Sequence, residues 1–321
     1  MPCYAPMLAF QNRFVKEPLR FVGRKHYRIE DGSDPYRSEY YQNLIKNDKF
    51  VPICLPCGRC IHCRLQNSKE KAIRAVHEST LYRENCFVTL TYNPKSVPSD
   101  GSIRPRDMQL FIKRLRRYFP KIKFKTFGCA EYGEKLSRPH YHLCIFGLDF
   151  ADKKFWRFSE NDWSKDKWPV YRSAILEKLW SNPLTGESLG FCEIGTLTFE
   201  SAAYVARYVV KKVNGEMKEE HYDGRLPERI ICNSKGIGLR WLEKFSDEVI
   251  NNDGVYRDGI IEKMPRYYEK KLEERFPEKI ALVKAARLAK VSEIDIDGTE
   301  KRLAVRQFIH ETKAKLLKRR L

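Results

Sequence analysis

Between residues 86 and 197 the apolar pattern switches repeatedly between a period of two and a period near 3.6, and this succession constrains the fold more than any other feature. CFVTLTYNP (86–94) is rich in β-branched and aromatic residues and closes on Asn-Pro, which predicts a buried strand. RDMQLFIKRLRRYF (106–119) sets Met108, Phe111, Ile112, Leu115 and Phe119 at helical spacing, and Pro120 stops the helix. KIKFKTFGCAE (121–131) alternates lysine with apolar residues as a half-exposed strand does, and HYHLCIFGL (140–148) is a further strand beyond the polar loop YGEKLSR. WPVYRSAILEKLW (168–180) contains a helix, and GFCEIGTL (190–197) is a fourth strand. The order β-α-β-β-α-β predicts an α+β fold of the ferredoxin or RRM kind: an antiparallel sheet with helices on one face. Many chemistries share that scaffold, so the function must be read from its residues.

The flanks are of different character. Residues 1–50 carry few periodic signals, and 1–67, with the cysteine cluster, read as an irregular N-terminal segment, 68–250 as the main domain, and 251–321 as a helical, basic C-terminal region. A helix is expected from Ser68 as N-cap, with Ala72, Ile73, Val76 and Thr80 on one stripe, and another from about Ser201 to Val213.

The formal net charge is +19, with 42% apolar and 12% aromatic residues, so the chain folds and its partner is expected to be a polyanion. Aromatics interleaved with basic residues favour nucleic acid over a membrane surface; a merely solubilising coat is the alternative. Residues 101–127 hold nine Lys/Arg and one Asp, and 301–321 hold eight Lys/Arg and one Glu, so two blocks carry most of the excess. Lys113, Arg114, Arg116 and Arg117 lie in the first block and are candidate DNA contacts. For the terminal block, DNA backbone contact and a partner-binding amphipathic helix remain open. No stretch approaches the roughly 18 apolar residues of a membrane span, and MPCYAPMLAF lacks the features of a signal peptide. The expectation is a soluble, intracellular protein with no membrane partner.

His140 and His142 stand at i and i+2 on a strand, so both imidazoles leave the same face. Glu131 ends the preceding strand, where pairing across the sheet brings it near His140. Two imidazoles and a carboxylate suit Mg²⁺ or Mn²⁺ with open positions for substrate oxygens; non-haem Fe(II) is the rival, and plain strand histidines the bland reading. In SAAYVARYVVKKV, Ala202, Val205, Ala206, Val209, Val210 and Val213 form a core stripe. Tyr204 and Tyr208, about 40° apart, fall on the opposite side, flanked by Arg207, Lys211 and Lys212. Two such phenols either cover surface or serve as nucleophiles whose phenolates the neighbouring cations favour. Attack on a phosphodiester would store the broken DNA bond as a phosphotyrosine.

Cys54, Cys57, Cys60 and Cys63 recur every third residue, too tightly for one tetrahedral ion, so the expected zinc set is Cys57, Cys60 and Cys63 with Cys3. Unliganded thiols and an Fe–S cluster stay open, and His62 reads as a surface residue.

TLTY (89–92), RPHYH (138–142) with Glu131 upstream, and YVARYVVKK (204–212) resemble, in this order, the three motifs of the HUH endonucleases, specifically the two-tyrosine rolling-circle initiators. MPCY, LPCGRCIHCR, NCFVTLTYNP, KGIGLRWLEKF and PRYYEKKLE extend the likeness, over residues 1 to about 275, to replication initiators of gokushovirus-like microviruses, small single-stranded DNA phages. The resemblance implies that 68–250 is the nuclease domain and that Glu131, His140 and His142 bind the metal. It makes Tyr204 and Tyr208 the nucleophiles, with Lys211 beside Tyr208 and Arg207 in the same relation to Tyr204. Tyr141 replaces the usual bulky apolar residue between the histidines and is expected to point away from the metal.

It further implies nicking of the phage replicative form at its origin, a 5′-phosphotyrosine intermediate, and strand transfer that circularises single-stranded genomes. Both single-stranded and double-stranded DNA are then partners, in the host bacterial cytoplasm, with the host DNA polymerase extending the 3′-hydroxyl. No GxxxxGK[ST] run is present, so a host helicase is expected to unwind. A related transposase or plasmid relaxase, or a non-catalytic basic DNA-binding protein with a structural metal, are the alternatives.

Overall fold

A computed structural model of the chain describes residues 3–4, 7–12, 20–23, 43, 46, 49–133, 136–159, 168–182, 184–211, 222–291 and 300–316. The chain forms two compact units, one of residues 1–66 with 290–318 and one of residues 67–289.

In the first unit, the irregular N-terminal segment contributes three short strands, β1 (Met7–Asn12), β2 (Arg20–Gly23) and β3 (Phe50–Leu55). They pair antiparallel in the order β2-β1-β3, with Met7 opposite Leu55 and Asn12 opposite Phe50. Ala9, Phe10 and Phe50 are buried, as is Leu303 of the helix Glu300–Leu316. The Tyr4 hydroxyl meets His310 Nδ1 at 2.7 Å.

Helix α1 spans Ile61–Ser79. It begins seven residues before the expected Ser68, which is a buried mid-helix residue and not a cap. The cysteine-rich turn, with Gly58 at φ +69°, ends just ahead of Ile61 and supplies the true boundary.

The second unit is built on a seven-stranded sheet of β4 (Asn85–Thr91), β5 (Lys125–Tyr132), β6 (Pro139–Phe146), β7 (Lys154–Phe158), β8 (Pro169–Arg172), β9 (Cys192–Gly195) and β10 (Arg229–Asn233). The helices among them are α2 (Pro105–Tyr118), α3 (Ala174–Leu179) and α4 (Phe199–Lys211). The strand order is β10-β5-β6-β4-β9-β8-β7, antiparallel throughout. Its centre, β5-β6-β4-β9, is the predicted β-α-β-β-α-β unit. The β7–β8 hairpin is an addition between β6 and α3, where the sequence reading placed only a helix. Interleaved charges in KKFWRF hid its strand alternation.

The crossover helices α2 and α3 share one face, as expected. Met108, Phe111, Ile112 and Leu115 of α2 and Leu176 and Leu179 of α3 pack on Val88, Leu90, Tyr141, Leu143 and Ile145 around fully buried Trp180. Pro105 in the first turn, Asp107 beside it and Arg116 and Arg117 in the last turn suit the α2 dipole, and the Ser173 hydroxyl caps α3 by accepting the Leu176 N–H. The opposite face is also covered: Ala72 and Ala75 of α1 and Ala202, Val205 and Ala206 of α4 pack on Phe87, Phe127, Cys129, Cys144 and Phe146. Small residues on both helices let their backbones approach the sheet closely, and α4 lies over β5, β6 and β10.

Glu78 of α1 is fully buried, pairs with Lys125 Nζ at 2.9 Å and accepts the Gly238 N–H at 2.6 Å. That bond anchors the KGIG segment, and the 237 carbonyl there accepts from Arg74. Gly238 sits at φ +77°, and a Cβ on it would lie 2.3 Å from the Tyr268 hydroxyl, so only glycine fits. Beyond it, α5 (Leu239–Lys244), α6 (Ser246–Asn251), the hairpin of β11 (Gly254–Arg257) and β12 (Ile260–Lys263), α7 (Arg266–Arg275) and α8 (Pro277–Val291) follow. They enclose a third apolar cluster of Leu242, Val249, Met264, Tyr268 and Leu272 with Ile73 of α1.

Candidate active site and cysteine centre

The register of β5 on β6 sets Glu131 directly opposite His140 and Cys129 opposite His142. On β6, Tyr141, Leu143 and Ile145 enter the α2 face, so His140 and His142 project from the α4 face, the latter in line with Cys144 and Phe146. Tyr141 does point away from the histidines: it is fully buried, and its hydroxyl accepts the Arg104 N–H at 2.9 Å and meets Tyr92 Oη at 3.0 Å.

His142 Nε2 donates to Glu131 Oε1 at 2.7 Å, and the Tyr204 hydroxyl donates to the same oxygen at 2.5 Å. The Tyr204 ring stands edge-on to the His142 imidazole with centroids 4.9 Å apart, and Phe87 stacks on the imidazole from beneath at 5.7 Å. Glu131 and His142 are both buried. The helical wheel put Tyr204 on the side of α4 away from the core; its long phenol instead reaches from the helix flank to the sheet and is half-buried against the α4-side cluster. Tyr208 and Lys211 lie further along α4, but their side chains, and the whole of Lys212, lie outside the described residues. Arg207 is half-buried on the same helix.

Both imidazoles are held at Nδ1 by oxygen. His140 Nδ1–H donates to the Arg138 carbonyl at 2.7 Å, which leaves the lone pair on Nε2. His142 Nδ1 is 3.1 Å from Thr89 Oγ1, a hydroxyl that can donate or accept as the ring changes tautomer. Burial lowers the His140 pKa, the main cause, so this ring is neutral at neutral pH, the form that ligates a metal. By donor type one carboxylate and two imidazoles suit a divalent cation, with His142 Nε2 here turned onto Glu131 rather than toward an ion. Thr89, the Arg138 carbonyl and Gly133, whose Cα abuts the His140 ring, were not anticipated as part of the site; only the TLTY motif hinted at Thr89.

The basic block of α2 is not brought to this site. Lys113, Arg116 and Arg117 are exposed on a helix that covers the other face of the sheet, and Arg114 is half-buried with its guanidinium bonded to the Ser181 carbonyl. The connection from α2 to β5 changes layer, so nearness in the chain to Glu131 does not put this block on the Tyr204 face.

In the first unit the sulfurs of Cys3, Cys57, Cys60 and Cys63 all lie within 4.8 Å of one another, the one such group of potential ligands among the described residues. This is the predicted set; the side chain of Cys54 lies outside the described residues. Cys3 Sγ and Cys60 Sγ are 3.7 Å apart. A tetrahedron with Zn–S bonds of ~2.3 Å has edges of about 3.8 Å, so the spacing is compatible with structural zinc. Against the effect of burial, N–H bonds from Cys60 and Arg59 to its sulfur hold the Cys57 thiol down to about 7, close to its thiolate form. Burial raises the Cys63 thiol instead. His62 is not among the four; its ring stacks on His310 with centroids 6.2 Å apart.

No helix among the described residues is long and apolar enough to cross a membrane. The family model "replication-associated protein ORF2/G2P" matches residues 85–213, which span the sheet, the histidines and α4. The chain is 34% identical over 248 residues to replication-associated protein VP4 of Bdellovibrio phage phiMH2K, covering 74% of each. It is 32% identical over 294 residues to replication-associated protein ORF2 of Spiroplasma virus 4, covering 88% of this chain and 83% of that one. With replication-associated protein ORF4 of Chlamydia phage 1 the identity is 30% over 223 residues, or 67% and 52% of the two chains. No solved structure matches the chain significantly.

Proposed function

From the chain's membership of the phage replication-associated proteins of the ORF2/G2P type, we propose that it is the nickase and strand transferase that starts and ends rolling-circle replication of a microvirus-like genome. The observation that carries this reading is the Tyr204 hydroxyl seated 2.5 Å from a carboxylate that also receives His142 Nε2 at 2.7 Å. A helix that only covered a sheet would have no reason to bring a phenol onto a buried Glu–His pair.

Tyr204 Oη is the nucleophile. Its proton is already directed at Glu131 Oε1, so it can leave along that bond as Oη attacks phosphorus. The P–O3′ bond breaks, the 5′-phosphate stays on the tyrosine, and the 3′-oxygen departs as a hydroxyl after taking up a proton. In the reverse direction a 3′-hydroxyl attacks the phosphotyrosine and frees Tyr204, so one ester is exchanged for another and no ATP is needed. Glu131, His140 and His142 would hold Mg²⁺ or Mn²⁺, which supplies Lewis-acid stabilisation of charge on the phosphate oxygens. Tyr208, one turn along α4, serves as the second nucleophile, with Arg207, Lys211 and Lys212 attracting the DNA backbone. The host supplies polymerase and helicase, and the reaction takes place at the phage origin in the host cytoplasm. The four cysteines hold Zn²⁺ as a structural ion.

The test uses end-labelled single-stranded oligonucleotides tiled across the cognate genome, incubated with the protein and Mn²⁺ and resolved on a denaturing gel. One tile should yield a covalent protein–DNA band; Tyr204→Phe with Tyr208→Phe should abolish it while leaving DNA binding intact, and His142→Ala should remove its metal dependence. No adduct with any tile under several divalent ions would sink the nuclease reading, and nicking by the double tyrosine variant would sink the nucleophile assignment.

A further inference from the structure

The β7–β8 hairpin presents an unusual surface. Phe155, Trp156 and Phe158 are each more than half exposed, and Trp168, at the foot of the returning strand, is 41% exposed. Large rings cost free energy when left in water, and these wrap an edge strand: Phe155 meets Tyr171 on the α2 side with Phe158 beside it at 5.0 Å, while Trp156 faces the other side. Cations are interleaved: exposed Lys154 and half-buried Arg157 lie on the same strand, and the Arg172 guanidinium stands 5.1 Å over the Trp156 ring.

This hairpin is continuous with the candidate active site. Thr89, in contact with His142 Nδ1, is directly opposite Glu193 of β9, and Glu193 in turn holds Arg157 of β7 at 3.1 Å. Thr89, Glu193 and Arg157 therefore share the face that carries Tyr204, as does Trp156 beneath Arg172, whereas Phe155 and Phe158 lie around the sheet edge on the α2 side. Helix α4 makes its main sheet contacts with β10, β5 and β6. Phe191, 58% exposed, stands just before β9 beside Thr91, its carbonyl bonded to the Thr91 N–H.

We infer that the β7–β8 hairpin is a stacking wing for single-stranded DNA that leaves the nicking site across β9, meets Trp156 and passes around the sheet edge onto Phe155 and Phe158. This rests on the nuclease reading for its geometry. Four strand steps of ~4.8 Å separate β6 from β7, about 19 Å. That span corresponds to about five nucleotides at the ~3.4 Å spacing of stacked bases. Aromatic faces accept any base by stacking, while lysine and arginine meet the phosphates between them. The Arg157–Glu193 pair is more than one-third exposed at both ends and exchanges its partner for a phosphate at little cost. A face designed for an acidic protein would need the cations without the rings, and one designed for an apolar protein would not thread cations among them.

The experiment measures fluorescence anisotropy of a labelled 12-nucleotide oligothymidylate, and of a duplex of the same length, with the full chain and with the combined variant Phe155→Ala, Trp156→Ala, Phe158→Ala. All three side chains are exposed, so folding is expected to survive, and circular dichroism melting checks it. Single-strand affinity should fall about tenfold or more with duplex affinity nearly unchanged, and Trp156→Phe should retain most of what Trp156→Ala loses. Unchanged single-strand affinity in the triple variant overturns the inference and assigns the rings to another partner. Because anisotropy needs no cleavage, a missing covalent adduct sinks the nuclease reading alone, whereas a retained adduct with unchanged affinity sinks the stacking wing alone.

Discussion

At the scale of single residues, the site depends on how the two imidazoles are held as much as on their presence. His140 is fixed by one hydrogen bond to the Arg138 carbonyl and by the absence of a side chain at Gly133. A Cβ on Gly133 would stand 2.5 Å from His140 Cε1. Gly133→Ala should therefore displace the ring without disturbing the backbone. The Mn²⁺ concentration for half-maximal adduct formation is expected to rise about 10- to 100-fold, the usual effect of losing a support of a metal ligand, with the melting temperature little changed. An unaltered Mn²⁺ dependence would show that the ring's position does not matter. The residue types and the i, i+2 spacing of the histidines were legible in the sequence because alternation along a strand is local. The contact of Tyr204 with Glu131 was not, since a helical wheel gives the direction of a side chain but not what the helix lies against.

At the scale of elements, the cysteine centre shows how a long-range ligand set can be partly read from spacing. Cys57, Cys60 and Cys63 converge because a glycine-assisted turn leads straight into the first turn of α1, and Cys3 completes the group from the N-terminal segment. Full-length protein purified without added metal should carry about one zinc per chain, and Cys57→Ser with Cys60→Ser should carry none and melt at a lower temperature. Elemental analysis alongside thermal melting reads both outcomes; a metal-free wild type whose melting a strong chelator leaves unmoved would refute the zinc assignment. The start of α1 was misjudged because Ser68 is a good capping residue by type, yet helix termini are decided by what precedes them, here the turn at 57–60. The β7–β8 hairpin was missed because its exposed rings and charges do not follow the alternation of a half-buried strand.

At the scale of the whole molecule, stability is tied to pH through a buried histidine remote from the site. His77 of α1 stacks on Trp241 with ring centroids 3.5 Å apart and meets the Tyr268 hydroxyl at 3.0 Å. Burial pushes its pKa down to about 4 from an ordinary 6.5. The unfolded chain thus binds this proton first as pH falls. The contribution is full above about pH 6.5 and is lost progressively down to about pH 4, to a total of ~3 kcal/mol at ~1.4 kcal/mol per pH unit. Urea unfolding at a series of pH values should show this loss in wild type and a smaller one in His77→Gln; parallel curves would refute it. The formal +19 is likewise a property whose meaning changed with the fold. The α2 part of its first block lies on the sheet face away from Tyr204, while Lys125 of the same block is on the α4 side but held by Glu78. What the sequence by itself determined was the succession of strands and helices along the central domain, the residue types available at Glu131, His140, His142 and Tyr204, and the run of Cys57, Cys60 and Cys63, because each follows from local periodicity, residue type or short spacing. Only the tertiary structure decided which face each helix covers, that basic α2 lies on the face away from the histidines, how Cys3 joins the other cysteines, and where the extra hairpin joins the sheet. Those outcomes depend on strand register and layer packing between residues distant in the chain, which no local pattern encodes.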